Sequence, residues 1–129
     1  MGWRVRAIRG AITVTENSKE AIRDAVTELL DAVELRNKFD PDDIVSVTFS
    51  VTRDLDAMFP AAVARERPNW SNVPLLDVQH MHVEGSLERC IRLLIQINTP
   101  PLTQVHHAYL RGAQVLRPDL SMKPVSVNS

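Results

Sequence analysis

A chain of 129 residues with 44% hydrophobic and 24% charged side chains has the size and make-up of one ordinary globular domain, which excludes collagenous, disordered and membrane-spanning classes. Its net charge of -1, from 15 basic and 16 acidic residues, creates no global field that would recruit nucleic acid or an anionic membrane. The single cysteine, Cys90, excludes an internal disulfide and a cysteine-based zinc cluster; with no apolar stretch of signal-peptide or membrane-spanning length, it points to a reducing, cytoplasmic setting.

Residues 3–9 alternate as a strand, with Trp3, Val5 and Ala7 on an apolar face, Arg4 and Arg6 on the other, and Arg9 on the apolar parity. Gly10 permits a bend after it. Asn17, with Glu20 three residues on, has the form of a capping box, and the helix it opens carries an apolar stripe of Ile22, Val26, Leu29 and Val33. That helix ends before Asp40-Pro41, because proline disfavours helical geometry in the residue ahead of it. Residues 44–52 form a second strand, with Val45, Val47, Phe49 and Val51 buried against Ser46, Thr48 and Ser50. Residues 57–67 read as a short helix interrupted at Phe59-Pro60. A third strand fits 73–83, with Val73, Leu75, Asp77, Gln79 and Met81 on one face. The fourth, 89–98, sets Ile91, Leu93, Ile95 and Ile97 against Arg92, Leu94 and Gln96. A fifth fits 105–116, which makes 1–117 a single domain and 118–129 a polar, mobile C-terminal tail.

The resulting class is α+β: a mixed five-stranded sheet with one long and one short helix. One amphipathic helix covers only part of one sheet face, and the third and fourth strands carry apolar residues on both parities. The uncovered face is therefore expected to pack against another copy of the chain.

Chemistry-bearing patterns are sparse. Neither G-x-G-x-x-G nor G-x-x-x-x-G-K-[ST] occurs, so no phosphate-cradling loop is present in the sequence. Cys90 reads as a buried, inert thiol among apolar neighbours. His80 and His82 share a strand face, but the side chains of the His106-His107 doublet diverge and no metal-ligand spacing is present, so no metal site is expected. The basic set is twelve Arg and three Lys, a bias towards the side chain that grips carboxylates bidentately. Arg9 and Asp77 fall on faces expected to be buried, where an unpartnered charge is costly; either they pair with each other, or they are exposed at strand ends, or they line a ligand site. With Arg92 and Tyr109 they make a set suited to a small polyanion, and it holds no nucleophile.

Four ordered blocks carry a resemblance: residues 5–14 (Val-Arg-Ala-Ile-Arg-Gly-Ala-Ile-Thr-Val); residues 52–61 (Thr-Arg-Asp-Leu-Asp-Ala-Met-Phe-Pro-Ala) followed by Ala64-Arg65-Glu66; Cys90-Ile91-Arg92; and His107-Ala108-Tyr109-Leu110 followed by Val115-Leu116-Arg117-Pro118-Asp119-Leu120. In these the chain resembles the small AroH class of chorismate mutases. The resemblance implies rearrangement of chorismate to prephenate without cofactor or metal, in a homotrimeric pseudo-α/β-barrel with three sites between subunits. It implies that Arg92 faces the substrate's ether oxygen and that Arg9 and Tyr109 hold the side-chain carboxylate. Phe59 and Arg65 would come from the adjoining subunit, and Leu116 and Arg117 would lie at the entrance. Three positions depart from the family pattern: His80 stands where a glutamate is usual, Asp77 where a cysteine is usual, and Ala62 where a lysine is frequent. The missing glutamate normally accepts a hydrogen bond from the ring hydroxyl, and Asp77 is expected to have taken over that role, with His80 a secondary contact. Because alternation puts 77 and 80 on opposite faces, a bulge or a strand end is needed for both to reach one site. The competing expectation is a trimeric module that binds a cyclic dicarboxylate without transforming it.

Overall fold

The computed structural model describes residues 2–120 of the chain. In chain order these form β1 (Arg4–Thr13), α1 (Lys19–Arg36), a 3-10 turn (Pro41–Asp43), β2 (Ile44–Val51), α2 (Pro60–Arg65), β3 (Leu75–Gln79), β4 (Cys90–Thr99), β5 (Ala108–Leu110) and a second 3-10 turn (Arg111–Leu116). The strands make one mixed sheet in the order β3-β2-β4-β1-β5, antiparallel at β1/β4 and β2/β4 and parallel at β1/β5 and β2/β3. Among the described residues, no helix is long and apolar enough to cross a membrane.

The stripe on α1 behaves as its spacing requires: Ile22, Val26, Leu29 and Val33 are all buried, joined by Ala25 and Leu30. The cap is Ser18 rather than Asn17, its hydroxyl accepting from Ala21 N–H at 3.1 Å. Asn17 braces a different segment, its Oδ1 accepting from the N–H groups of Asp56 and Ala57. The helix also stops short of Pro41, at Arg36. The buried Asn37 side chain takes the carbonyls of Val33 and His106 and accepts from His106 N–H, so tertiary bonding ends the helix before proline is reached.

In β1 the expected faces are reversed. Ile8, Gly10 and Ile12 are buried under α1, whereas Val5, Ala7 and Arg9 point to the open side. Gly10 is not a bend but a point of close approach inside the strand: a Cβ there would lie 2.9 Å from the Ala108 carbonyl oxygen and 3.3 Å from Leu29 Cδ1. In β2, Val47 and Phe49 are fully buried, while a register shift between Ile44 and Ser46 turns Ile44 inward and leaves Val45 exposed. The β4 alternation holds along its length, with Ile91, Leu93, Ile95 and Ile97 in and Arg92, Leu94 and Gln96 out.

Three expected elements are corrected. Pro60 starts α2 instead of interrupting it, as befits a residue with no N–H to leave unbonded in a first helical turn. The third strand is confined to Leu75–Gln79, so Met81 lies outside it. The fifth is three residues long, because Arg111 takes a left-handed φ of 52° and its guanidinium reaches Thr13 O and Glu28. The tail begins as an ordered turn: Leu120 N–H bonds Arg117 O at 2.9 Å and the Leu120 side chain packs on a small cluster of Ala11, Cys90, Tyr109 and Ala113. The rest of the expected tail lies outside the described residues. With both helices on one side, the other face of the sheet is left open and exposes Val5, Leu76, Val78 and Leu94.

Candidate active site

The pleat decides what meets on the open face. Arg92 on β4 lies opposite Ala11 on β1 and Ser50 on β2, and Arg9 lies opposite Leu94, so both guanidinium stems rise from the same side of neighbouring strands. Tyr109 on β5 is in register with Ala11 and joins them. The second 3-10 turn brings Leu116 and Arg117 over this surface. The result is an open hollow of ≈ 610 Å³ lined by Arg9, Arg92, Tyr109, Leu116 and Arg117, with Thr48 and Ser50 as part of its floor. None of the described residues lining it is acidic. Arg117 meets the carboxylate of Asp119 through two bonds, Nε at 3.1 Å and Nη2 at 2.8 Å, a fork-on-fork contact of the kind a substrate carboxylate would make. That pairing raises the Arg117 pKa and lowers that of Asp119.

His80 belongs to this side. It follows β3 directly, and its Nδ1 lies 2.7 Å from Ser50 Oγ, next to Arg92 in the β2/β4 register. Burial, seconded by the Arg92 charge, pushes its imidazole below the ordinary value, so it is neutral at pH 7.

Asp77 does not. The β2/β3 register runs from Val47/Leu75 to Val51/Gln79 without a shift, so Asp77 pairs with the buried Phe49 and faces the helical layer. Its Oδ1 accepts from Ala61 N–H at 3.0 Å, in the first turn of α2. Within one chain an Arg9–Asp77 ion pair is thereby ruled out, and Asp77 cannot reach the Arg92 hollow. It keeps other company: Phe59, 70% exposed at the start of α2, shares with it a second hollow of ≈ 390 Å³, and the exposed Arg65 is close enough to act on its charge. The expected site residues thus form two sets on one chain, Arg9, Arg92, Tyr109, His80, Leu116 and Arg117 on the open face and Phe59, Arg65 and Asp77 at the α2/β3 edge.

Burial pushes the Asp77 carboxyl above its usual value, against the opposing pulls of Ala61 N–H and Arg65. A carboxyl that holds its proton more tightly folded than unfolded lowers stability above its folded pKa, and this cost vanishes once the pH falls below the unfolded value near 3.8. Asp77→Asn keeps an oxygen for Ala61 N–H and loses the charge. It is expected to raise the melting midpoint at pH 7 by a gain under about 1 kcal/mol, since the group is half solvent-screened. The advantage over the unaltered protein closes near pH 4, as paired thermal melts at the two pH values will read.

Cys90 is buried as expected, its thiol pushed up by desolvation. Among the described residues, no three of His, Cys, Asp and Glu gather closely enough to hold a metal ion. Three contributors escape a sequence reading. Thr48 and Ser50 look like the solvent side of β2, and only the strand order reveals them as floor of the hollow. His107 sits in a block that resembles the family, yet its contact with β1 depends on the β1/β5 pairing.

Comparison with known proteins agrees with this geometry. The family model for chorismate mutase type I matches residues 5–120. Chorismate mutase AroH of Thermus thermophilus is 47% identical over 118 residues, covering 90% of this chain and 96% of the relative. The AroH of Bacillus subtilis is 41% identical over 119 residues, covering 92% and 94%. The solved chorismate mutase of Clostridium thermocellum superposes with a TM-score of 0.80 at 41% identity, over 85% of this chain and 98% of that one. A chain matched along nearly its whole length in sequence and fold, with the guanidinium cluster in place on one sheet face, belongs to the chorismate mutase type I family.

Proposed function

We propose that this chain converts chorismate to prephenate in the cytoplasm as a homotrimer, with each site built by two neighbouring subunits and no cofactor. The observation that carries the reading is the hollow in which Arg9, Arg92, Tyr109 and Arg117 meet with, among the described residues, no acidic one lining it. Such a site suits a dianion of small size. In the reaction a C–O bond breaks while a C–C bond forms within one molecule, so neither proton transfer nor nucleophile is required. The protein's work is to hold the folded, diaxial conformer and to stabilise the charge that grows on the ether oxygen.

Arg92, raised from the middle strand of the sheet, faces that oxygen. Arg9 and Tyr109 hold the side-chain carboxylate, and Leu116 and Arg117 flank the entrance. The separation of the two residue sets supports a shared site: Phe59, Arg65 and Asp77 complete the hollow of a neighbour, Phe59 as wall, Arg65 near the ring carboxylate and Asp77 as acceptor for the ring hydroxyl. The exposed Val5, Leu76, Val78 and Leu94 give the open face reason to be covered by that neighbour, closing a pseudo-barrel of three sheets. His80 contacts the substrate from its own subunit.

Loss of chorismate's ultraviolet absorbance on mixing with purified protein, matched by prephenate formation, tests the activity. Binding without turnover would instead identify a module that senses a cyclic dicarboxylate. Sedimentation should give three copies. In the same assay Asp77→Asn is expected to lower kcat/KM more than His80→Gln does, by roughly tenfold or more for loss of a charge-assisted hydrogen bond. The reverse order would mean that His80 contacts the hydroxyl.

A further inference from the structure

Arg9 is held by more than its strand. Its backbone N–H donates to Nδ1 of His107 at 2.9 Å, on the side of β1 where β5 begins one residue later with the Gly10/Ala108 pair. A ring nitrogen here does what a strand's carbonyl would do. Because a backbone N–H can only donate, Nδ1 must present a lone pair, which fixes His107 as the neutral imidazole with its proton on Nε2.

The ring is anchored from the opposite direction by the end of α1. Arg36 Nη1 donates to the His107 carbonyl at 3.2 Å, and Asn37 clasps the backbone of His106 with Nδ2···O and N···Oδ1 distances of 2.7 Å each. A continuous set of bonds therefore runs from the helix terminus through 106–107 to the main chain of Arg9. We propose that His107 is the positioning residue for Arg9: its neutral ring sets where β1 holds that guanidinium, and protonation of Nδ1 releases it. This rests on the proposed role of Arg9 in gripping the substrate.

The surroundings bias the ring towards the state the bond needs. Burial comes first in holding the imidazole below its ordinary value, followed by Arg9 and then Arg117 beyond the second 3-10 turn, His106 beside it and Arg6 on β1. From α1, Arg36 adds a further cation at its carbonyl. Acid must work against this cluster, and when it succeeds an N–H faces an N–H.

The test compares kcat and KM for chorismate between pH 5 and pH 8 in the unaltered protein, His107→Asn and His107→Leu. Asparagine can place Oδ1 where Nδ1 stands and does not titrate. The unaltered protein should show KM rising as the pH falls through the His107 titration, with kcat changing less. His107→Asn should keep a near-normal KM and lose that rise. His107→Leu should raise KM about tenfold at every pH. Nitrogen-15 spectra of the ring should show Nδ1 unprotonated at pH 7.5, and the Arg9 amide resonance should follow the ring's titration. If His107→Asn keeps the acid rise in KM, or if Nδ1 carries the proton at pH 7.5, the proposal is wrong. The spectra need no turnover, so a protein inert towards chorismate would overturn the functional reading while leaving this one open to its own decision.

Discussion

Arg92→Gln is expected to lower kcat by roughly 10²–10³-fold, the loss typical of removing one preorganised charge from a site where charge develops. The residue sits in the central strand β4, flanked by β1 and β2, so its backbone is fixed on both sides while its side chain stands on the open face. Glutamine retains most of the stem and a polar end but brings no positive charge to the ether oxygen. Because the position is exposed in the subunit, the melting midpoint should stay within the small range of surface substitutions, about 0.5 kcal/mol. Turnover and melting measured on the same preparation separate the two effects, and normal turnover would remove Arg92 from the reaction.

The largest effect on stability is expected at a residue remote from Arg92. Trp70, fully buried in the connection between α2 and β3, has the Arg67 guanidinium 5.8 Å from its ring centroid, and Arg67 in turn forms ion pairs with Asp31 and Glu34 of α1. The indole is part of the core cluster to which α1, α2 and the sheet all contribute. Trp70→Ala should cost about 3–5 kcal/mol, the range for emptying a large aromatic site in a core, read as a lowered urea midpoint. Since the same connection orders α2 and β3, the surviving folded fraction should also lose the alignment of Phe59, Arg65 and Asp77. A midpoint shift below about 1 kcal/mol would mean that the loop, and not the indole, holds that edge.

Much of the architecture was legible in the sequence because the burial is one-sided. The α1 stripe and the β4 alternation each face a single apolar layer, so period and burial coincide. In β1 the signal misleads for a physical reason: Val5 and Ala7 are apolar yet belong to the open face, while Arg6, on the core parity, lies at the strand's start and sends its guanidinium to Thr103 O at 2.8 Å. Parity alone could not tell a face covered by a helix from one left for another protein surface. The fifth strand failed because its end is set by Arg111 bonding back to Thr13 and Glu28, a long-range contact with no local trace. For the site, the resemblance supplied the candidate residues and pattern grouped Asp77 with Arg92; the unshifted β2/β3 register, with no bulge to turn residue 77, instead takes Asp77 to the other face of the sheet within one chain.

The pleat of β4 sorts outcomes of mutation by odd and even number. Between Ile91 and Ile97 the odd positions hold the core together and the even ones stand on the open face, Arg92 and Leu94 among them lining the hollow. A saturation library across that segment should therefore split into two populations interleaved letter by letter, one that fails to accumulate as soluble protein and one that accumulates well but does no chemistry.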